Sequence, residues 1–231
     1  MYLVAKVFFL MEMLDRITKL VKEKDATLVA VSKTQSVEKI KVVYNQGQRV
    51  FGENKVQEIL EKKDLLPEDI QWHMIGHLQR NKVKSIAPFI AMIHSVDSEK
   101  LLAEIQKQAQ KNQRVIDILL QVFVAQEETK FGLNPTNLML LVGEIANASY
   151  PNIRCRGLMG MATHTEDESQ IRLEFRALKK LFEQVKKEYG QLLLAFNILS
   201  MGMSGDYEIA LEEGSNMIRI GSLIFGNRVY L

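Results

Sequence analysis

Eight short runs of aliphatic and β-branched residues alternate with longer segments of helical periodicity, and this alternation limits the possible folds more than any other feature of the chain. The runs cover residues 28–32, 49–52, 72–75, 91–94, 116–124, 153–159, 194–199 and 217–220. From residue 28 to residue 217 their starting points span 189 positions in seven intervals, a mean of 27. That mean is close to the length of one strand–helix–strand unit. Because parallel strands need a long crossover, the pattern predicts a parallel sheet packed against helices.

Eight strands favour closure into a (β/α)8 barrel, a TIM barrel of the α/β class. The alternative is an open, doubly wound sheet, whose first turn is usually rich in glycine. Here residues 32–35 read Ser-Lys-Thr-Gln, so the barrel is preferred. The chain ends about ten residues after the last run, and the usual eighth helix is missing there. We expect the helical segment 15–24, ahead of the first strand, to fill the eighth helix position.

The composition is that of an ordinary globular chain, and it excludes several classes of function. Of 231 residues, 47% are hydrophobic and 25% are charged, with a formal net charge of +2. The apolar content is too high for a disordered chain. The small net charge does not favour a protein that binds along a nucleic-acid backbone. The one cysteine, Cys155, permits no internal disulfide and indicates a reducing cytoplasm. We expect a monomer.

Residues 1–13 are interpreted as an apolar N-terminal extension, and residues 14–231 as the barrel. The first eleven residues are apolar except for Lys6, and this stretch is shorter than a membrane-spanning helix requires. The charge lies in the middle of the stretch and Glu12 follows it, an order that does not match a secretory signal. No membrane association is therefore predicted.

A lysine ends the first predicted strand, at the edge of the barrel where functional side chains collect. The stem of Lys33 would lie against the apolar barrel wall, with its ammonium group partly desolvated. Desolvation lowers the pKa of a lysine and releases the amine as a nucleophile, which forms a Schiff base with an aldehyde. For this residue taken alone, an ordinary surface lysine is the alternative.

The ends of the last two strands form a corner rich in serine and glycine. Residues 200–205 read Ser-Met-Gly-Met-Ser-Gly and precede a helical segment, and Gly221 and Ser222 follow the eighth strand. Backbone N–H groups and hydroxyls at such corners bind anions, and barrels often bind phosphate after their seventh and eighth strands. Ordinary turns are the alternative for these residues taken singly.

An amine, a phosphate corner and an arginine together fit pyridoxal 5′-phosphate (PLP). The aldehyde would meet Lys33, and the ring nitrogen would meet Arg219 in the eighth strand. The phosphate would meet Ser204, Gly221 and Ser222. Arginine stays charged and donates hydrogen bonds, so it should keep the ring nitrogen unprotonated and a weaker electron sink. The alternation of side chains leaves open whether Arg219 points into the barrel.

Six motifs stand in order along nearly the whole chain. They are Val-Ala-Val-Ser-Lys-Thr at 29–34, Phe-Gly-Glu-Asn at 51–54, Trp-His-Met-Ile-Gly-His-Leu-Gln-Arg-Asn-Lys at 72–82, Gly-Leu-Met at 157–159, Leu-Ser-Met-Gly-Met-Ser at 199–204 and Ile-Arg-Ile-Gly-Ser-Leu-Ile-Phe-Gly at 218–226. As a set they resemble the pyridoxal phosphate homeostasis proteins, single-domain relatives of the alanine racemase barrel. The resemblance implies an alanine-racemase-like barrel, the type III fold of PLP proteins.

The resemblance also implies the residues and the role of the site. It repeats the assignments made above and adds two positions near the cofactor, Asn54 and Ser200. The implied cofactor-binding set is Lys33, Asn54, Ser200, Ser204, Arg219, Gly221 and Ser222. Members of the family hold PLP as a Schiff base and buffer it or deliver it to PLP-dependent apo-enzymes. They have no established catalytic turnover, and no catalytic residue is assigned.

A PLP-dependent amino-acid racemase is the alternative function. Racemisation needs a base on each face of the substrate Cα, and Lys33 serves one face at most. In the racemases that this chain resembles, a tyrosine from a second domain serves the other face, and a barrel of this length leaves no residues for that domain. His73 and His77 are four apart but lack the acidic residue of a zinc-protease motif, so no metal site is expected.

Overall fold

Eight parallel strands close into a barrel in the order of the chain. They are β1 Thr27–Val31, β2 Val50–Glu53, β3 Gln71–Met74, β4 Met92–Val96, β5 Ile116–Gln121, β6 Ile153–Met159, β7 Ile198–Ser200 and β8 Met217–Ile220. Each strand pairs with the next, and β8 pairs with β1 to close the ring. The structure is a computed structural model that describes residues 2–124 and 132–226. It confirms the predicted barrel and excludes the open sheet.

Helices surround the barrel. In the described residues they are α1 Tyr2–Glu23, α2 Val37–Asn45, α3 Val56–Lys63, α4 Arg80–Ile86, α5 Glu99–Lys111, α6 Pro135–Ala146, α7 Glu168–Tyr189, α8 Tyr207–Glu212 and α9 Ser222–Phe225. The longest crossover helix, α7, begins where the Asp167 carboxylate accepts hydrogen bonds from the Ser169 and Gln170 N–H groups, as an N-cap residue does. None of the described helices is long and apolar enough to cross a membrane.

Helix α1 fills the eighth helix position, as predicted. It packs against β1 and against the short helix α9 that follows β8, and it buries Leu14, Ile17 and Val21. The helix was predicted over 15–24 but runs without a break from Tyr2. The division between a 1–13 extension and a 14–231 barrel therefore lies inside one helix, and as a functional boundary it stays a prediction.

Among the strands, the seventh is the one whose start differs most from its predicted position. It was predicted from residue 194 and begins at Ile198. The apolar residues before it form turns: the Leu193 N–H donates to the Tyr189 carbonyl at 2.8 Å, and the Phe196 N–H donates to the Leu193 carbonyl at 2.9 Å. Leu194 is 86% exposed, so a hydrophobic run here lies in a surface turn instead of in the sheet.

Two apolar layers hold the fold together. The larger one lies between the outer face of the sheet and the helices, where α7 alone buries Ile171, Phe175, Leu178, Phe182 and Val185. The smaller one fills the barrel interior with Val29, Met92, Leu119, Met159 and Met217. Near the amino ends of β5 and β6, Asp117 accepts hydrogen bonds from Arg154 and Arg156. The interior is thus packed, and open space is left at the carboxyl ends of the strands, as is usual in this fold.

Closure between β6 and β7 depends on a glycine. Gly157 has a φ of +152°, and a Cβ there would lie 1.7 Å from the Ile198 carbonyl oxygen. We predict that Gly157→Ala lowers the free energy of unfolding by about 3 kcal/mol or more, because both the backbone conformation and the sheet spacing must change. Urea unfolding measures this loss.

The matched control is Gly205→Ala. A Cβ at Gly205 meets no atom within 4 Å, so its free energy of unfolding should stay within about 0.5 kcal/mol of the wild type. A loss below about 1 kcal/mol for Gly157→Ala, or an equal loss for the two variants, would contradict this account of strand closure.

Candidate functional site

A cavity of about 870 Å³ lies at the carboxyl ends of the strands. This volume is within the range of about 300–1,000 Å³ that small-molecule sites occupy. Six of the seven residues predicted for the site line it: Lys33, Asn54, Ser204, Arg219, Gly221 and Ser222. Residues far apart in the sequence, from the ends of β1, β2, β7 and β8, thus come together in one cavity.

The seventh predicted residue, Ser200, lies behind the cavity and holds Arg219. Arg219 points into the barrel, which answers the question that the sequence left open. Its guanidinium donates one hydrogen bond to Ser200 Oγ at 2.7 Å and another to the Gly160 carbonyl oxygen at 3.0 Å. Burial lowers the pKa of Arg219 to about 10, partly opposed by the charge of Asp206. The guanidinium therefore stays charged near neutral pH and is fixed in direction.

The corner after β7 and β8 is one connected structure. Ser204 Oγ accepts a hydrogen bond from the Gly221 N–H at 3.3 Å, which ties the two strand ends together. Asp206 accepts a hydrogen bond from the Met203 N–H at 2.6 Å and so fixes the loop that carries Ser204. Ser222 opens helix α9, and first-turn N–H groups have no partner within their own helix. Hydroxyls and N–H groups thus collect where a small anion would bind.

Asp206 lines the same cavity and was not predicted. Burial raises the pKa of its carboxyl group, while the hydrogen bond from the Met203 N–H and the charge of Arg219 lower it. Its position directly after the Ser-Gly corner could have indicated that Asp206 belongs to the site. The sequence alone does not show that the residue before helix α8 faces the cavity. Further unpredicted lining residues follow β6, among them Thr163, His164 and Glu166.

Two buried histidines form a pair inside the barrel. His73 Nδ1 and His94 Nε2 are 2.9 Å apart, and both side chains are almost fully buried. Burial lowers the pKa of His73 to about 4, with the charge of Asp117 partly opposing it. Burial also lowers the pKa of His94, and the charges of His73 and Arg219 lower it further. The pair is therefore neutral near pH 7 and adds no cation beside Arg219.

Metal binding is not supported by the part of the chain that the structure describes. No group of three or more histidine, cysteine, aspartate or glutamate side chains there could hold a metal ion. His73 bonds to His94 inside the barrel, whereas His77 lies 3.4 Å from Asp97 at the surface, with its own side chain 45% exposed. The two histidines that are four apart in the sequence thus face different environments.

The residues present fit the cofactor that the sequence predicts. A primary amine, a fixed guanidinium and a corner of hydroxyl and N–H donors face one cavity, and PLP offers an aldehyde, a ring nitrogen and a phosphate. Lys33 and Ser204 are partly exposed, and Ser222 is exposed. A ligand held there would remain accessible from solvent.

Comparison with known proteins gives the following similarities. Residues 10–229 match the family model of the alanine racemase N-terminal domain. The pyridoxal phosphate homeostasis protein of Aquifex aeolicus is 44% identical over 209 residues, 90% of either chain. The structure of PipY from Synechococcus elongatus with PLP bound has a TM-score of 0.81 and 32% identity, and the match covers 93% of this chain and 100% of PipY.

A more distant similarity concerns the fold alone. The alanine racemase of Streptomyces coelicolor has a TM-score of 0.75 and 15% identity to this chain. The match covers 94% of this chain but 58% of the racemase. At this identity the likeness shows a shared barrel and says nothing of a shared reaction.

The buried His73 predicts a specific dependence of stability on pH. Its pKa is about 4 in the folded state and about 6.5 when unfolded, so the unfolded chain binds more protons between these values. The contribution of His73 to the free energy of unfolding is fully present above about pH 6.5. It is lost as the pH drops toward 4, which lowers the free energy of unfolding by up to about 3 kcal/mol. Urea unfolding of wild type and His73→Asn gives the free energy of unfolding at each pH between 7 and 4.5. This free energy should fall less steeply with decreasing pH in the variant than in the wild type.

His77→Asn is the control for this measurement, because the His77 side chain is 45% exposed. The free energy of unfolding of this variant should change with pH as steeply as that of the wild type. Parallel slopes for wild type and His73→Asn would show that the buried pair does not contribute to acid sensitivity.

Proposed function

The chain belongs to the family of pyridoxal phosphate homeostasis proteins, and we propose that it binds PLP in this cavity, holds it through Lys33 and takes part in PLP homeostasis. The observation that carries the proposal is the placement of Lys33, Arg219 and the Ser204–Ser222 corner around one cavity. The similarity to PipY, whose structure contains PLP, supports it. In this role the protein buffers PLP or delivers it to apo-enzymes.

Each end of the cofactor has a matching group in the cavity. When bound, PLP would supply a reactive aldehyde, and the primary amine of Lys33 would hold it by a covalent link. Arg219 would donate a hydrogen bond to the ring nitrogen. Ser204, Gly221 and Ser222 would bind the phosphate, and Asn54 also lines the cavity.

The state of Arg219 favours holding over turnover. A charged guanidinium donates and does not accept hydrogen bonds, so it would keep the ring nitrogen of bound PLP unprotonated. Its bonds to Ser200 and the Gly160 carbonyl prevent it from turning away. A racemase also needs a base on the opposite face of the substrate, and no tyrosine stands among the described residues that line the cavity. The racemase remains the second candidate, supported only by the shared barrel.

The proposed partners are PLP-dependent apo-enzymes, and the proposed location is the cytoplasm. The accessible rim formed by Ser222, Ser204 and Lys33 supports release of the cofactor to another protein. The single Cys155 is buried in β6, in keeping with a reducing compartment. We propose a monomer as the working state, since all the residues assigned to PLP binding come from one chain.

Lys33→Ala tests the covalent link. Wild-type protein incubated with PLP should turn yellow, and borohydride should fix the cofactor to the chain, because reduction of the double bond makes the link permanent. Lys33→Ala should give no fixed cofactor. Mass spectrometry of the intact chain measures the adduct, with Lys55→Ala as a control that keeps it. An undiminished adduct in Lys33→Ala would refute the assignment of Lys33.

The phosphate corner is tested with pyridoxal, which has the aldehyde and the ring but no phosphate. Wild type should bind PLP at least about 100-fold more tightly than pyridoxal, because two charge-assisted hydrogen bonds contribute about 3 kcal/mol or more. Ser204→Ala should weaken the binding of PLP about tenfold and leave the binding of pyridoxal unchanged. The ratio of the two affinities should therefore fall about tenfold. Fluorescence titration gives both affinities, and equal affinities of wild type for the two ligands would place the phosphate elsewhere.

A further inference from the structure

We propose that Lys62 and Glu58 on helix α3, together with Glu53 at the end of β2, are positioning residues that hold Lys33 in place for the aldehyde. The inference rests on the proposed function, because it concerns the residue that links the cofactor. None of these three side chains lines the cavity. They act from the other side of the backbone that carries Lys33.

The two peptide units on either side of Lys33 are both held by helix α3. Lys62 Nζ donates to the Ser32 carbonyl oxygen at 3.0 Å, which belongs to the peptide unit before Lys33. The Thr34 N–H, in the peptide unit after Lys33, donates to Glu58 Oε2 at 2.6 Å. Lys62 and Glu58 also bond to each other at 3.0 Å. One pair of side chains, four residues apart on one helix, thus clamps the Lys33 backbone from both directions.

Glu53 completes the clamp from the neighbouring strand. Its Oε1 accepts hydrogen bonds from Lys62 Nζ at 2.8 Å and from Ser32 Oγ at 2.7 Å. The three donors of the Lys62 ammonium are therefore matched by three oxygens, from Ser32, Glu53 and Glu58, and its direction is fixed. The Lys62 side chain is 9% exposed and that of Glu53 is fully buried.

The turn needs this support because its backbone is strained. Thr34 has a φ of +63°, in the left-handed region that costs a residue with a side chain roughly 1–2 kcal/mol. The Thr34 hydroxyl donates to the Lys33 carbonyl oxygen at 2.6 Å, and the Glu58 carboxylate holds the Thr34 N–H. A strained residue persists where its surroundings over-determine it, and such residues cluster at functional sites.

Stability alone is a poor reason for this cluster. Replacing a buried ion pair with apolar residues of similar size is often neutral or stabilising, because desolvation of the charges costs as much as their attraction returns. Burial raises the pKa of Glu53, although the hydrogen bonds from Lys62 and Ser32 oppose the rise. Within the described residues, Glu53 Oε2 has no hydrogen-bond partner. The cluster is costly, and what it delivers is a fixed direction for Lys33.

Two ligands separate positioning from general stability. PLP binds through the cavity and through the link to Lys33, whereas pyridoxamine 5′-phosphate has the same ring and phosphate but carries an amine in place of the aldehyde. It cannot form the link. A variant that misplaces Lys33 should weaken PLP and leave pyridoxamine 5′-phosphate unchanged, and a variant that disturbs the whole cavity should weaken both.

Glu58→Ala is the decisive variant, since it removes the acceptor of the Thr34 N–H. We expect its affinity for PLP to fall about tenfold, equivalent to about 1.4 kcal/mol, with the affinity for pyridoxamine 5′-phosphate within about twofold of wild type. Glu58→Gln keeps an oxygen acceptor, so PLP affinity should recover to within about threefold of wild type. Glu61→Ala, at an exposed position of the same helix, is the matched control and should change neither affinity.

The outcomes separate this inference from the function on which it rests. Suppose that wild type binds both ligands, and that Glu58→Ala either lowers the two affinities equally or lowers neither. The positioning role is then overturned, and PLP binding stands. If wild type binds neither ligand, the proposed function fails first, and the positioning role fails with it. Lys62→Met removes the other half of the clamp and keeps an unbranched apolar side chain. Should Glu58→Ala not fold, Lys62→Met replaces it in the test, and it too should lower the affinity for PLP and not that for pyridoxamine 5′-phosphate.

Discussion

The pairing of β8 with β1 is the contact on which the site depends. It places Val29 beside Arg219 and Ala30 beside Ile220, so the residues that follow each strand emerge next to each other. Lys33 leaves β1 at the same edge where Gly221 and Ser222 leave β8. Closure of the barrel therefore brings together an amine from the start of the chain and an anion corner from its end, and the space between them is the cavity.

The guanidinium and the lysine-bearing turn at this edge are each held by hydrogen bonds with other residues. Ser200 and the Gly160 carbonyl hold the Arg219 guanidinium, and Lys62 and Glu58 hold the turn of Lys33. Each buried charge would be costly without such bonds. The guanidinium of Arg219 and the backbone that carries the Lys33 amine are thus each held by other residues before any ligand arrives. This preorganisation suits a protein that holds a cofactor and exposes its rim.

The barrel was predictable because its signal repeats eight times. Strand β8 matches its predicted span of 217–220, whereas β7 begins four residues late because the apolar residues around Leu194 lie in a turn. Lys33, Arg219 and the Ser204–Ser222 corner were predictable from their places at strand ends. Asp206 and the pair of His73 and His94 were not, since their roles depend on inward direction and burial, which spacing alone does not determine. The same holds for Lys62, which reads as a surface lysine of a charged helix.

In the proposed complex, one cavity holds PLP with its aldehyde carbon on Lys33, its ring nitrogen on Arg219 and its phosphate on the Ser204–Ser222 corner. A crystal structure of the protein soaked in PLP tests this most directly. We expect continuous electron density from Lys33 Nζ to the cofactor, the ring nitrogen within hydrogen-bond distance of the Arg219 guanidinium, and the phosphate against Ser204, Gly221 and Ser222. Density for PLP at another site, or in this cavity with the phosphate away from that corner, would contradict it.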